Sequence, residues 1–178
     1  MSFAPPTEEK SVFLGRGSSK SAFLSVMKGK RVAKLSCNDS KDDLRHEIEI
    51  MRQINRHPHQ NVLSLLCVIG REMVVPLAPN GSIVDLSHEL DFKCLKLTKR
   101  HARTFDQQLT RAAAHLTACC VEHNDLRCNN GLVFAFVFHD PEKSHVKLGD
   151  FGDAVSCAEA KNDLVLLREE LYGFCAKH

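Results

Sequence analysis

Asp125 and Asn130 stand five residues apart in Cys120-Val-Glu-His-Asn-Asp-Leu-Arg-Cys-Asn-Asn-Gly131, after His123 and ahead of an apolar run from Leu132. Twenty residues past Asn130, Val146-Lys-Leu-Gly-Asp-Phe-Gly152 supplies a second aspartate, Asp150, at the end of an expected strand. One carboxylate can accept a hydroxyl proton. An amide oxygen and a second carboxylate are the hard oxygen donors that hold Mg²⁺ on phosphates. A loop aspartate followed by Leu and Asn also suits a braced turn, so the weight rests on both stretches occurring in order.

The surrounding pattern places these groups. Leu109, Ala112, Ala113, Leu116 and Cys120 fall on one side of a helix predicted over 106–122, which delivers the chain to His123. Gly131–Phe138 and Ser144–Leu148 read as a hairpin turning at Asp140-Pro-Glu-Lys, with Asn130 and Asp150 at its ends. Upstream, a helix over 40–54 has caps at 38–40, Asp42 and Asp43 in its first turn, and Leu44, Ile48, Met51 and Ile54 at helical spacing. At 100° per residue Glu47 lies inside that apolar arc and Glu49 roughly opposite. A glutamate on the apolar side is costly unless paired, and Lys34 is the candidate partner.

Residues 12–35 alternate apolar strands with glycine turns. In Gly29-Lys-Arg-Val-Ala-Lys-Leu35, Val32 and Lys34 share a face. His57-Pro-His-Gln-Asn-Val-Leu-Ser-Leu-Leu-Cys67 leads into another strand, with 72–76 as its hairpin partner. Its two histidines lack further ligands at zinc spacing. Pro76 to Leu86 contains a Pro-Asn-Gly turn and a helix start, whereas 86–103 has no clear pattern. Leu164, Leu167 and Leu171 mark a last helix over 161–174.

The chain has 178 residues and a formal charge of +2, a near balance that calls for neither nucleic acid nor a membrane surface. No apolar run approaches the ~20 residues that span a bilayer. Residues 1–10 read as a loose tail without the apolar core of a secretory signal. Several of the eight cysteines sit in apolar contexts, and all are read as thiols in a reducing, cytoplasmic compartment, the host's if the chain is a viral or bacterial effector.

His123-Asn-Asp125 with Asn130, followed by Asp150-Phe-Gly152, resembles the protein kinase catalytic loop and metal loop. The resemblance extends over about 12–174. It implies an α+β, two-lobe kinase-like fold: an N-lobe over 11–78 of antiparallel sheet plus one helix, and a mainly helical C-lobe over 79–178. It implies ATP and Mg²⁺ as cofactors. By the same resemblance Asp125 orients the acceptor hydroxyl, Asn130 and Asp150 ligate Mg²⁺, Lys34 grips the phosphates and Glu47 positions Lys34. Gly15, Gly17, Ser18 and Ser19 form the Gly-rich loop, with Lys20 where the family has a third glycine. Val32 replaces the alanine that lines the adenine site, Val75 takes the gatekeeper position, the backbone of Pro76 to Ala78 faces adenine, and Ser82 and Asp85 reach the ribose.

Three departures matter. Asn124 replaces the arginine that pairs with a phosphorylated activation loop. Arg127 stands where many kinases carry lysine, as a planar donor in place of a point charge. Past Asp150-Phe-Gly only 153–160 intervene before the helix that carries Asp163, the match to a bracing aspartate of the kinase core, so the activation segment and lower C-lobe helices are expected to be missing. The expected function is that of a minimal Ser/Thr protein kinase acting on a protein substrate, with an activating partner to supply the missing surface. A pseudokinase-like decoy and a small-molecule phosphotransferase are the alternatives.

Overall fold

The computed structural model describes residues 11–16, 20–38, 44–156 and 171–174. The chain divides into two compact units, Met1–Leu44 with Leu65–Leu77, and Arg45–Ser64 with Ala78–His178.

The first unit is one antiparallel sheet of five strands: β1 (Val12–Arg16), β2 (Lys20–Met27), β3 (Lys30–Cys37), β4 (Cys67–Ile69) and β5 (Glu72–Pro76), in the order β1-β2-β3-β5-β4. Lys28 and Gly29 both have positive φ (51° and 74°), and Met27 pairs with Lys30. A two-residue turn of that hand matches the twist of the flanking strands, and a glycine in it costs nothing sterically. Met73, Val74, Val75 and Val32 are buried, which fits strands rich in β-branched residues.

The second unit starts with α1 (Arg45–Ile54) and continues with α2 (Ile83–Phe92), α3 (Lys99–Ala118), β6 (Val121–Glu122), β7 (Gly131–Ala135), β8 (His145–Leu148) and β9 (Val155–Ser156). Two short antiparallel pairs, β6 with β9 and β7 with β8, position its loops. A cut near residue 78 places α1 with the sheet, but α1 and the segment after it group with the helical unit. The reason is backbone pairing: Val62 bridges to Leu148, with Leu63 N–H on Leu148 O and Leu148 N–H on Asn61 O, each 2.8 Å. Asn61, 1% exposed, adds its amide to Gln108 Oε1 (2.9 Å) and Val146 O (3.0 Å). Phe105, Leu109, Leu116, Ile83, Leu148 and Phe151 form the core of this unit. Gly131 allows α2 its approach, since a Cβ there would lie 2.7 Å from Ile83 Cδ1.

The helix α3 begins earlier than its apolar periodicity predicts, at Lys99 where 106 is expected. Its start is hidden in Thr98-Lys-Arg-His101, a capping box whose third helical residue is histidine where Glu or Gln is usual. Thr98 Oγ1 accepts from His101 N–H (3.2 Å), and His101 Nδ1 accepts from Thr98 N–H (3.4 Å). The ring, fully buried, turns its Nε2–H to Val137 O at 3.3 Å and lies 5.0 Å from the Phe136 ring. Residues 86–103, without a clear pattern in sequence, thus hold the end of α2, a short connection and this cap.

Burial pushes His101 below the ordinary histidine value of 6.5, as it does His59 and His145. In the window below that value the unfolded chain binds protons that the folded chain refuses. Stability must therefore be full above the unfolded value and decline as pH falls through it. Urea unfolding is expected to show a flat stability above about pH 7 and a loss below about pH 6.5. His101→Gln, which retains the reciprocal cap, should flatten that slope, and an unchanged slope would assign the acid sensitivity elsewhere. Thr98→Ala should cost about 1 kcal/mol at any pH, a fall of roughly 2–4 °C in Tm for a chain of this size.

Candidate active site

β6 ends at Glu122, and the chain then turns through a loop that carries His123, Asn124 and Asp125 into a single 3₁₀ turn, Cys128–Asn130. His123 is buried; its Nε2 donates to Gly149 O at 3.0 Å, and its ring lies 5.2 Å from that of Phe151. Asn130 is 5% exposed, and its Nδ2 donates twice to Asp125, to the main-chain O at 2.8 Å and to Oδ2 at 2.9 Å. Its own carbonyl accepts from Gly149 N–H at 2.9 Å, which ties the 3₁₀ turn to the backbone just before Asp150.

Arg127 completes the set. Its Nε lies 2.7 Å from Asp125 Oδ1 and its Nη2 3.0 Å from Oδ2, a two-pronged pair with about half of the arginine side chain in solvent. An ionised carboxylate has about four acceptor positions. Arg127 fills one on each oxygen and Asn130 one on Oδ2, leaving a position on Oδ1. That is the chemistry of an oriented acceptor for a hydroxyl proton.

Asp150 is exposed and has φ 59°, and Asn124 has φ 63°. Asn and Asp tolerate this left-handed region better than other residues with a Cβ. Asn124 also donates from Nδ2 to Asp153 O at 3.2 Å. His46 on α1 donates from Nε2 to Ala154 O at 2.6 Å, and Gln53 donates to Cys119 O at 2.8 Å. With β6–β9 pairing, these hold 153–156 beside the loop that carries Asp125. Neither His46 nor Gln53 is singled out by sequence reasoning, since each is an ordinary polar residue on a helix. Asn124 did carry a signal, its residue type at a turn between two chemical residues.

Glu47 is 4% exposed whereas Glu49 is exposed, as their helical phases require. The buried carboxylate accepts from Phe151 N–H at 3.0 Å, so α1 is joined to the stretch that carries Asp150. The sequence pattern points to a lysine partner and carries no signal for this backbone donor.

An amide oxygen and a carboxylate are donors of the kind that a hard divalent cation takes. With both Nδ2 protons of Asn130 spent on Asp125, its Oδ1 makes no hydrogen bond among the described residues and remains available as a hard oxygen donor. Asp150 adds an exposed carboxylate.

The sequence model of the protein kinase domain matches residues 9–172. The chain belongs to the protein kinase family. Its curated relatives include a hormonally up-regulated neu tumor-associated kinase homolog B of Xenopus laevis, 32% identical over 114 residues, 62% of this chain and 16% of that protein. Serine/threonine-protein kinase PSK1 of Saccharomyces cerevisiae is 29% identical over 112 residues, 61% of this chain and 8% of that one. Mitogen-activated protein kinase 4 of Rattus norvegicus is 28% identical over 138 residues, 68% of this chain and 45% of that one. The chain thus spans under half the length of each of these relatives.

Other expected kinase positions fall as follows. Lys34 is half-buried on β3 and pairs across the strand with Val74; Ala33 pairs with Val75 and Val32 with Pro76. Directly opposed residues point to one face of a sheet, so Val74 shares the face of Lys34, and Val75, expected as gatekeeper, lies on the other. Gly15 sits in β1 at a register shift, opposite Ala22. Gly17, Ser18, Ser19 and Asp163 lie outside the described residues. Ser82 and Asp85, expected at a ribose, are engaged with each other. Ser82 is the buried N-cap of α2, and Asp85 Oδ2 accepts from its N–H and its Oγ, both at 2.8 Å. Ala78 begins the second stretch of the helical unit, and its carbonyl accepts from Gly81 N–H at 3.3 Å.

Removing the acceptor of Phe151 N–H leaves a buried donor unsatisfied. Glu47→Ala should therefore cost about 1–3 kcal/mol, while Glu47→Gln keeps an oxygen in place and should cost less. Thermal denaturation distinguishes the two, with Glu49→Gln as a silent control; equal losses at all three would place the effect outside this bond.

Proposed function

We propose that this chain is a phosphotransferase that moves the γ-phosphate of ATP to a hydroxyl on a protein. The observation that carries the reading is the posture of Asn130: its amide hydrogens fix Asp125, and its oxygen is left for a cation. Asp125, held by Arg127 and Asn130, keeps one acceptor position on Oδ1 for the hydroxyl hydrogen of the substrate, so the attacking oxygen is oriented before transfer. Arg127 places a permanent positive charge beside that oxygen, where negative charge on the transferred group can be offset. Mg²⁺ held by Asn130 Oδ1 and Asp150 would neutralise phosphate charge. The resemblance assigns Lys34 to the α- and β-phosphates and Gly15 to the loop over them, and kinases among the relatives support a protein as acceptor.

Two measurements test this. ATP with Mg²⁺ should raise Tm, because a ligand that binds only the folded state stabilises it, and Asp150→Ala should reduce that shift. Asp125→Asn keeps the shape of the loop, so nucleotide-dependent stabilisation should persist while ³²P transfer falls by roughly 10²–10⁴. Stabilisation without transfer by the unsubstituted chain would make it a non-catalytic binding module. Transfer to small alcohols and not to proteins would move it to the small-molecule phosphotransferases.

A further inference from the structure

A cavity of about 260 Å³ opens within the helical unit between the segment that follows α1 and β8. His59, Gln60, Ser64, Asn55 and Lys147 supply its polar wall. Among the described residues Lys147 has no carboxylate partner; its Nζ lies 5.2 Å from the centroid of the Phe134 ring. The His59 ring stacks on His115 of α3 at 4.8 Å, with the planes 17° apart. Arg111, one helical turn before His115, and Lys147 both act on His59, and Lys147 acts on His145. Among the described residues no carboxylate acts on His59, His145 or Lys147. The wall of this cavity is therefore charged with one sign and partly desolvated.

We propose that this cavity binds a small oxyanion of the phosphate-monoester class, with Lys147 and His59 as its principal donors. A half-buried ammonium loses hydration, and an aromatic face returns only part of that loss. A dianion returns more, and it does so for every cation around it at once. The backbone prepares His59 for the role. Asn61 N–H donates to its Nδ1 at 3.2 Å, so the neutral ring carries its proton on Nε2 and is a donor before it is charged. His145, two residues before Lys147 on β8, is hydrogen-bonded to the backbone of Gln60. The volume admits roughly nine waters at about 30 Å³ each, enough for an oxyanion with a short organic stem. The cavity shares no residue with the Asp125, Asn130 and Asp150 set.

Burial, and then the positive neighbours His115, Arg111 and Lys147, lower the proton affinity of His59. A bound dianion reverses that second influence, so binding should take up a proton and tighten as pH falls. Sulfate is the first probe because it stays doubly charged throughout, whereas a phosphate monoester gains a proton near pH 6. Sodium sulfate is titrated into the full chain at fixed ionic strength against chloride, following the imidazole resonances of His59 and His115. Saturable shifts are expected, with affinity rising roughly threefold to tenfold between about pH 7.5 and about pH 6. Lys147→Gln should abolish saturation, Lys147→Arg should retain it and Arg111→Gln should weaken it. Asp150→Ala should leave it unchanged, which separates this cavity from the nucleotide site. Inorganic phosphate and a short phosphoserine peptide then distinguish a free oxyanion from a phosphorylated chain as its source. Shifts that stay linear and match chloride, or that are the same in Lys147→Gln, would overturn the proposal.

Discussion

Asn130 is the joint on which the candidate site depends. Its side chain fixes the carboxylate of Asp125 and its main chain fixes Gly149, one residue before Asp150. Two loops far apart in sequence are thereby set against one another by a single residue. A hydrogen bond between neutral groups contributes about 0.5–1.5 kcal/mol net, and one to a charged group about 1.5–3. The joint's value lies less in that sum than in what it leaves over: with both amide protons committed, only the oxygen remains for a further partner. An aspartate in its place would put like charges together and leave Asp125 without its donor.

Around this joint, the second unit is tied by hydrogen bonds that run from side chains to backbone. Glu47 holds Phe151, His123 holds Gly149, His46 holds Ala154 and Asn124 holds Asp153. All four stabilise the stretch from Gly149 to Ala154, which has little regular structure of its own. Segments without a ladder must find other partners for their backbone groups, and here helices and loops supply them. The cost of burying Glu47 is thus offset by the backbone donor it satisfies, and the same bond couples α1 to the stretch that carries Asp150.

How far the chain was legible in advance follows from the kind of interaction involved. The contact of Asn130 with Asp125 is of the kind that sequence reveals, because chemistry fixes residue type and spacing together. The strands β3 and β5 and the hairpin β7–β8 were readable because alternation and turn residues agree over several positions. The start of α3 was not, since a histidine in the third position of a capping box gives no recognisable motif and the apolar stripe begins later. The pairing of Val74 with Lys34 is a matter of register, which two short apolar strands leave open by one residue. Ser82 and Asp85 show the opposite failing, where residues apt for a ligand are equally apt for a helix cap.

The left-handed backbone at Asn124 makes one substitution asymmetric. A residue with a longer side chain pays roughly 1–2 kcal/mol to sit there, and arginine would also give up the bond to Asp153. Exchanging arginine for asparagine at this turn relaxes the chain, whereas exchanging it back loads the turn again unless an anion is at hand to pair with the guanidinium. The position acts like a ratchet in sequence space, and what holds the tooth is backbone geometry.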